Sequence, residues 1–281
     1  MIDPADPEQL EGLLRKHRID PKRSWGQNFL IDVAIRDRVA DAASLGDDDV
    51  VLEVGAGTGA LTIALAQRSR TVVAVELDRD LVPALREVVA GYDNVEVVES
   101  DILKLDLASR FTHGEYVVTG NIPYHLTGAL IRKLLDHEPR PRRLSLVVQK
   151  EVAERWTAAT GASLSTVAVK VFAEPRLLFT IRATAFEPQP RVDSACIILE
   201  VRDQPAVRIT DLGSFFDFVE SVFQFRRKQL GGALGRISGQ GSTAAAARLR
   251  DIGVDPARRP QTLSLGEWES LYAAFGRRPA K

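Results

Sequence analysis

Val50-Val51-Leu52-Glu53-Val54-Gly55-Ala56-Gly57-Thr58-Gly59-Ala60-Leu61-Thr62 decides the architecture of this chain. A short, mostly β-branched run meets three glycines at alternate positions, and a helix-forming stretch opens directly after them. Such a strand, turn and helix start is where an open α/β sheet binds ligands, outside the carboxyl ends of its strands. Glycine in the turn lets a ligand approach the backbone closely. The spacing is Gly-x-Gly-x-Gly, not the Gly-x-Gly-x-x-Gly that wraps a pyrophosphate, and no Gly-Lys-Ser/Thr follows. A dinucleotide and a nucleoside triphosphate are therefore disfavoured, and a phosphate-free nucleoside cofactor fits better.

Outward from this turn, short apolar runs alternate with helical patterns. Val50–Val54, Thr71–Val75, Val95–Val98, Tyr116–Gly120 and Leu144–Val148 read as strands buried on both faces. Ala60–Ser69, Asp80–Ala90, Thr127–Asp136 and Lys150–Ala158 read as the intervening helices, which predicts a doubly wound parallel sheet. Val167–Phe172 and Ala195–Val201 are expected to complete it as an antiparallel edge. After Asp203-Gln204-Pro205 the pattern becomes helical, around Leu212–Phe225, Arg227–Leu234, Thr243–Ile252 and Leu265–Phe275. The expected division is a cofactor-binding α/β domain at 1–203 and a small all-helical domain at 204–281.

Glu76 ends the second strand of the sheet, where a carboxylate can accept two hydrogen bonds from a ribose diol. Asp101 ends the third and can reach an adenine amino group. Either acid alone reads equally as the cap of a neighbouring helix. Both acids together with Gly55 and Gly57 describe a pocket for S-adenosylmethionine.

Asn121-Ile122-Pro123-Tyr124, directly after Tyr116–Gly120, places an amide, a fixed turn and an aromatic ring at one strand end. Pro123 restricts Ile122 to an extended conformation, so the Asn121 carboxamide and its neighbouring carbonyls should leave the strand end together. That set can hold an exocyclic amino group while Tyr124 stacks on a planar base.

Composition is consistent with a polyanionic partner. Residues 204–281 carry 12 Lys/Arg against 7 Asp/Glu, whereas residues 1–203 carry 25 against 31, so a net charge of −1 conceals a basic C-terminal part. Arg226-Arg227-Lys228, expected to begin a helix, are candidate phosphate contacts, and Arg140-Pro141-Arg142-Arg143 could line the same face. A solvated helix terminus is the competing reading of the first cluster. Cys196 is the one cysteine, which excludes an intrachain disulfide and a cysteine zinc site and suits a reducing compartment. His17, His113, His125 and His137 lack metal-ligand spacing, and no metal is expected. With no apolar run of membrane-spanning length and no basic-then-apolar N-terminus, the expectation is a cytoplasmic protein away from membranes.

These motifs extend to further blocks: Gly26-Gln27-Asn28-Phe29-Leu30, Val75-Glu76-Leu77-Asp78, Gln149-Lys150-Glu151-Val152, Phe186-Glu187-Pro188-Gln189-Pro190-Arg191-Val192-Asp193-Ser194-Ala195 and Phe225-Arg226-Arg227-Lys228-Gln229-Leu230. Together, nearly end to end, the chain resembles the ribosomal RNA adenine N6-dimethyltransferases, most closely their bacterial small-subunit branch. The resemblance implies a Rossmann-like class I methyltransferase sheet with a C-terminal all-helical domain. It implies that Asn28 and Leu30 line the cofactor pocket with Gly55, Glu76, Asp101 and Asn121, and that Phe186 sandwiches the target base opposite Tyr124. From the sequence itself, Asn28 reads rather as the cap of a helix starting near Asp32. The implied reaction is two successive methyl transfers to N6 of adjacent adenosines near the 3′ end of small-subunit RNA, in the free RNA or a pre-ribosomal small subunit. One departure is Gly161-Ala162-Ser163-Leu164-Ser165, where the family usually carries a Tyr-Gly-x-Leu-Ser-like stretch. Two other readings stay open: a large-subunit RNA methyltransferase conferring macrolide resistance, and a non-catalytic RNA-binding factor on the same fold. A monomer is expected, since no partner helix or exposed apolar stripe stands out.

Overall fold

The computed structural model describes residues 2–123, 126–136, 138–160 and 163–276. Helix α1 (Pro7–His17) starts at Asp6, whose side chain accepts from the Gln9 amide, and it leads to strand β1 (Phe29–Leu30) and helix α2 (Val33–Ala42). The glycine-loop unit follows as β2 (Val50–Val54) and α3 (Ala60–Ala66). Next come β3 (Thr71–Glu76), α4 (Val82–Val89), β4 (Val95–Glu99) and β5 (Tyr116–Asn121). Helix α5 (Thr127–Leu135), strand β6 (Arg143–Gln149) and helix α6 (Lys150–Thr157) complete the parallel part. Helix α7 (Leu164–Phe172) precedes strands β7 (Ala173–Ile181), β8 (Phe186–Glu187) and β9 (Ser194–Val201). The chain then turns helical through α8 (Leu212–Phe223), α9 (Leu230–Ser238), α10 (Gly241–Asp251) and α11 (Leu265–Phe275).

Seven strands form one sheet in the order β4-β3-β2-β5-β6-β9-β7. The pairs among β2 to β6 are parallel and β6–β9 is antiparallel. Strand order reverses between β2 and β5, which opens a crevice at their carboxyl ends. Val51, Leu52, Val54, Val117 and Val118 are buried without alternation, as strands covered on both faces must be. At the crevice β5 runs tightly against β2. Gly120 has φ +154°, and a Cβ there would stand 2.3 Å from the Val54 carbonyl oxygen.

The chain divides into two compact units, one of residues 1–154 and 174–201 and the other of 155–173 and 202–281. A boundary at 203 leaves 155–173 with the sheet; packing instead groups that segment with the C-terminal helices. Val167–Phe172, read from its β-branched content as an edge strand, is helix α7. Ser163 caps it by accepting from the Thr166 amide, and nearly every side chain is buried, so packing overrides the β-propensity. The edge of the sheet is β7, which tolerates Pro175 as edge strands do. The second unit is built on aromatic contacts, among them Phe215–Tyr272 at 5.5 Å and Phe223–Trp268 at 5.2 Å between ring centroids.

Candidate active site

A cavity of about 290 Å³ opens at the carboxyl ends of β2, β3 and β5. Asn28, Leu30, Gly55, Gly57, Glu76, Asp101, Asn121, Pro123 and Phe186 all line it. The glycine loop supplies its floor. Gly57 has φ +59° and stands against the Phe29 ring, where an added Cβ would come to 3.5 Å.

Glu76 holds this loop as well as facing the cavity. Its Oε2 accepts from the Gly57 amide and its Oε1 from the Asp78 amide, each at 2.8 Å. Burial raises its pKa, and those backbone donors oppose the rise. A carboxylate has about four acceptor positions, so the backbone donors of Gly57, Leu77 and Asp78 do not exhaust it. Asp101 receives the Leu103 amide at 3.0 Å, which orients its carboxylate on the loop after β4.

The N-terminal segment forms the cavity's outer wall. Asp78, buried beside Glu76, accepts from Lys22 Nζ and Gln27 Nε2 at 2.7 Å each. Burial alone would raise the Asp78 pKa, but these two donors together with the Asp80 amide hold it below the usual value. Asn28 does not cap a helix, because Asp32 performs that role by accepting from Ile35. Asn28 instead presents its carbonyl oxygen to Asn121 Nδ2 at 2.9 Å, while its own amide side chain donates to Gly26. Leu30 pairs with Phe186 in a two-stranded ladder, and Phe186 is 2% exposed, a wall set into the core. Ile122, 1% exposed, turns its side chain away into the interior and donates its amide to the Val147 carbonyl. Tyr124 and His125 lie outside the described residues, as do His137, Gly161 and Ala162.

Glu53 is the residue missed from the sequence. It lines the cavity at 1% exposed, and its Oε2 has no hydrogen-bond partner among the described residues. Burial, with Glu76 nearby, pushes its pKa up to about 8. The available signal was a lone acid inside an otherwise apolar buried strand, a costly placement unless a ligand compensates it.

A nucleoside-sized cavity, a turn of glycines, three acids and an oriented carboxamide therefore converge at one sheet crossover. The sequence matches the model for ribosomal RNA adenine dimethylase over residues 19–275. The chain belongs to the ribosomal RNA adenine dimethylase family. A ribosomal RNA small subunit methyltransferase A from Pelotomaculum thermopropionicum is 42% identical, with 98% of each chain covered. Among solved structures, a dimethyladenosine transferase from Plasmodium falciparum aligns with a TM-score of 0.69 at 26% identity, covering 86% of this chain and 95% of that one. The 23S rRNA methyltransferase ErmE aligns with a TM-score of 0.67 at 29% identity, covering 89% and 100%.

Two basic clusters differ from expectation in this dimethylase. Arg226, Arg227 and Lys228 are exposed, but they lie in the turn after α8; α9 begins only at Leu230, because Gln229 is extended. Arg140–Arg143 sits at the amino end of β6, opposite the cavity, and is engaged there. Arg142 pairs with Asp49 at 2.6 Å, Arg143 with Glu200 at 2.9 Å, and Arg140 Nε donates to the Leu135 carbonyl. His17 bonds Glu87 and His113 bonds Glu138, and no group of three metal ligands occurs among the described residues. Nor is any described helix long and apolar enough to cross a membrane.

Proposed function

We propose that the chain dimethylates N6 of adjacent adenosines near the 3′ end of small-subunit ribosomal RNA, with S-adenosylmethionine as donor. The observation that carries this reading is the Asn121 carboxamide, anchored through its nitrogen to the Asn28 carbonyl beside the glycine loop.

The residues present fit the cofactor. Glu53, with an orphaned carboxylate oxygen, would take the ammonium of the methionine part, Glu76 the ribose hydroxyls on its remaining acceptor positions, and Asp101 the adenine amino group. Leu30 and Gly55 would bound the same pocket. When bound, S-adenosylmethionine supplies an electrophilic methyl group on its sulfonium. Adenine N6 is a poor nucleophile, since its lone pair is conjugated into the ring. The Asn121 side-chain oxygen, left over once the nitrogen is engaged, accepts an N6 hydrogen, and the Ile122 carbonyl accepts the other. Those two bonds favour a tetrahedral nitrogen and hold it in place, so positioning supplies most of the rate. Tyr124 stacks on the base, with Phe186 as the opposing wall; the proton leaves to water after transfer.

The unit of residues 1–154 and 174–201 carries this chemistry, and the unit of 155–173 and 202–281 engages RNA, with Arg226, Arg227 and Lys228 on phosphates. The enzyme works as a cytoplasmic monomer on RNA whose target base is unstacked. Identity of 42%, over 98% of each chain, to a ribosomal RNA small subunit methyltransferase A supports the small-subunit target. Labelled methyl groups offered with immature small subunits, with large-subunit RNA and without RNA test the reading. Label should enter only the small-subunit RNA, as N6,N6-dimethyladenosine; incorporation into large-subunit RNA alone, or none, overturns it.

A further inference from the structure

We propose that Trp25 is a stacking platform for the nucleobase next to the target adenosine, an inference that rests on the reaction assigned above. Of the three tryptophans, Trp156 and Trp268 are fully buried, whereas Trp25 is 43% exposed. Trp25 lines the same cavity as Asn121 and Pro123. An indole left this open forgoes the burial that usually places tryptophan inside, and a planar ligand would recover it.

The ring is held rather than free. Its own amide donates to the Lys22 carbonyl at 2.9 Å, and the Lys22 amide donates to Gln27 Oε1 at 2.7 Å. Gln27 is tied in turn to Asp78. Lys22 Nζ sits 4.9 Å from the indole centroid while bonded to Asp78 and Asp80, so the lysine fixes the ring and its charge is met by two carboxylates. A presented, pre-ordered aromatic surface loses little entropy on binding.

The chemistry of base extrusion supplies the ligand. Moving one adenine into the cavity breaks its stack with the adjoining nucleotide, and that neighbour leaves the cavity on the RNA side with a bare face. Stacking on an aromatic side chain restores the lost contact without reading sequence. Glu53, Glu76 and Asp101 answer the ammonium, ribose and adenine groups of the cofactor, which leaves the exposed indole face for RNA.

Trp25→Ala and Trp25→Phe in the full chain, titrated with S-adenosylmethionine and with an RNA hairpin bearing two adjacent loop adenosines, test this. The hairpin should quench wild-type tryptophan emission, and S-adenosylmethionine alone should not. Trp25→Ala should bind the hairpin about tenfold more weakly, with Trp25→Phe close to wild type. Cofactor affinity should change far less than hairpin affinity, and the thermal midpoint should not move. Hairpins made abasic on the 5′ or the 3′ side of the target should erase the difference between wild type and Trp25→Ala on one side. Unchanged hairpin affinity in Trp25→Ala, or quenching by the cofactor alone together with weakened cofactor binding, overturns the assignment. Methyl transfer to immature small subunits by the wild-type chain reads the reaction separately, so the platform can fail while the reaction stands.

Discussion

Asn121 Nδ2 donates to the main-chain oxygen of Asn28 at 2.9 Å, joining the end of β5 to a segment 93 residues earlier in the chain. This bond decides which end of the carboxamide remains for the substrate. With the nitrogen engaged, the oxygen is the acceptor on offer, and an amino group is what it can accept. The Asn28 contribution comes from its backbone, so substitutions at position 28 test the bond poorly, and Asn121 itself is the position to change.

Asp78 ties the N-terminal wall to the cavity, and its removal leaves Lys22 and Gln27 without their buried acceptor. Asp78→Ala should weaken S-adenosylmethionine binding by about tenfold, the scale of a lost charge-assisted bond. Residues 18–30 should become more sensitive to limited proteolysis while the sheet stays intact. Because the Asp78 pKa is lowered on folding, this tie is present above the ordinary carboxylate value and is lost as pH falls through the folded one. Calorimetric titration with the cofactor near neutral pH checks the first, and limited proteolysis of the wild type, with residues 18–30 still protected at the ordinary carboxylate value of 3.8 and opened only below it, checks the second.

Gly120→Ala should be costly for a reason independent of chemistry. Its Cβ would stand 2.3 Å from the Val54 carbonyl oxygen, at a φ that side chains rarely adopt, and both partners are backbone of central strands. A loss of about 2 kcal/mol or more is expected, lowering the thermal midpoint by about 4 °C or more. Scanning calorimetry of the apo variant measures it.

Glu53→Gln should stabilise the apo protein while impairing cofactor binding. Burial raises the Glu53 pKa from its ordinary 4.5 to about 8, so the folded state holds a proton that the unfolded state releases. The stability associated with that proton is full below pH 4.5 and is lost as pH rises toward 8. The thermal midpoint of Glu53→Gln minus that of wild type should therefore grow across this window. A difference that shrinks with rising pH would contradict the assignment of an unpaired buried acid.

Much of this was legible in the residues because buried parallel strands announce themselves. Val50–Val54 and the runs after it are short, β-branched and bounded by turns, and each became a strand of the central sheet. Strand-end positions of Glu76 and Asn121 followed from the same pattern, and the cavity brings them together. Where burial on all sides meets β-branched residues, periodicity cannot tell helix from strand, and α7 was misread for that reason. Strand β7 escaped because it is half exposed and carries Pro175, so it lacks the apolar run that marked the others. Glu53 lies within its strand rather than at the end, so the strand-end pattern that marked Glu76 and Asn121 did not reach it, and the fold shows it enclosed. The Arg140–Arg143 cluster reads as free charge in the sequence, whereas Asp49, Glu200 and the Leu135 carbonyl lie far from it along the chain or on another element.

Single-turnover methyl transfer by Asn121→Ala and Asn121→Asp, measured beside their S-adenosylmethionine dissociation constants, tests the central claim most directly. Loss of an oriented polar group at a reacting centre typically costs about 10²- to 10³-fold in rate, and a loss on that scale is expected for both variants. Aspartate should be no better than alanine, because a carboxylate cannot donate to the Asn28 carbonyl. Cofactor affinity should fall far less than the rate. Transfer at the wild-type rate in either variant, or a rate loss fully accounted for by weaker cofactor binding, would contradict the role of the Asn121 carboxamide.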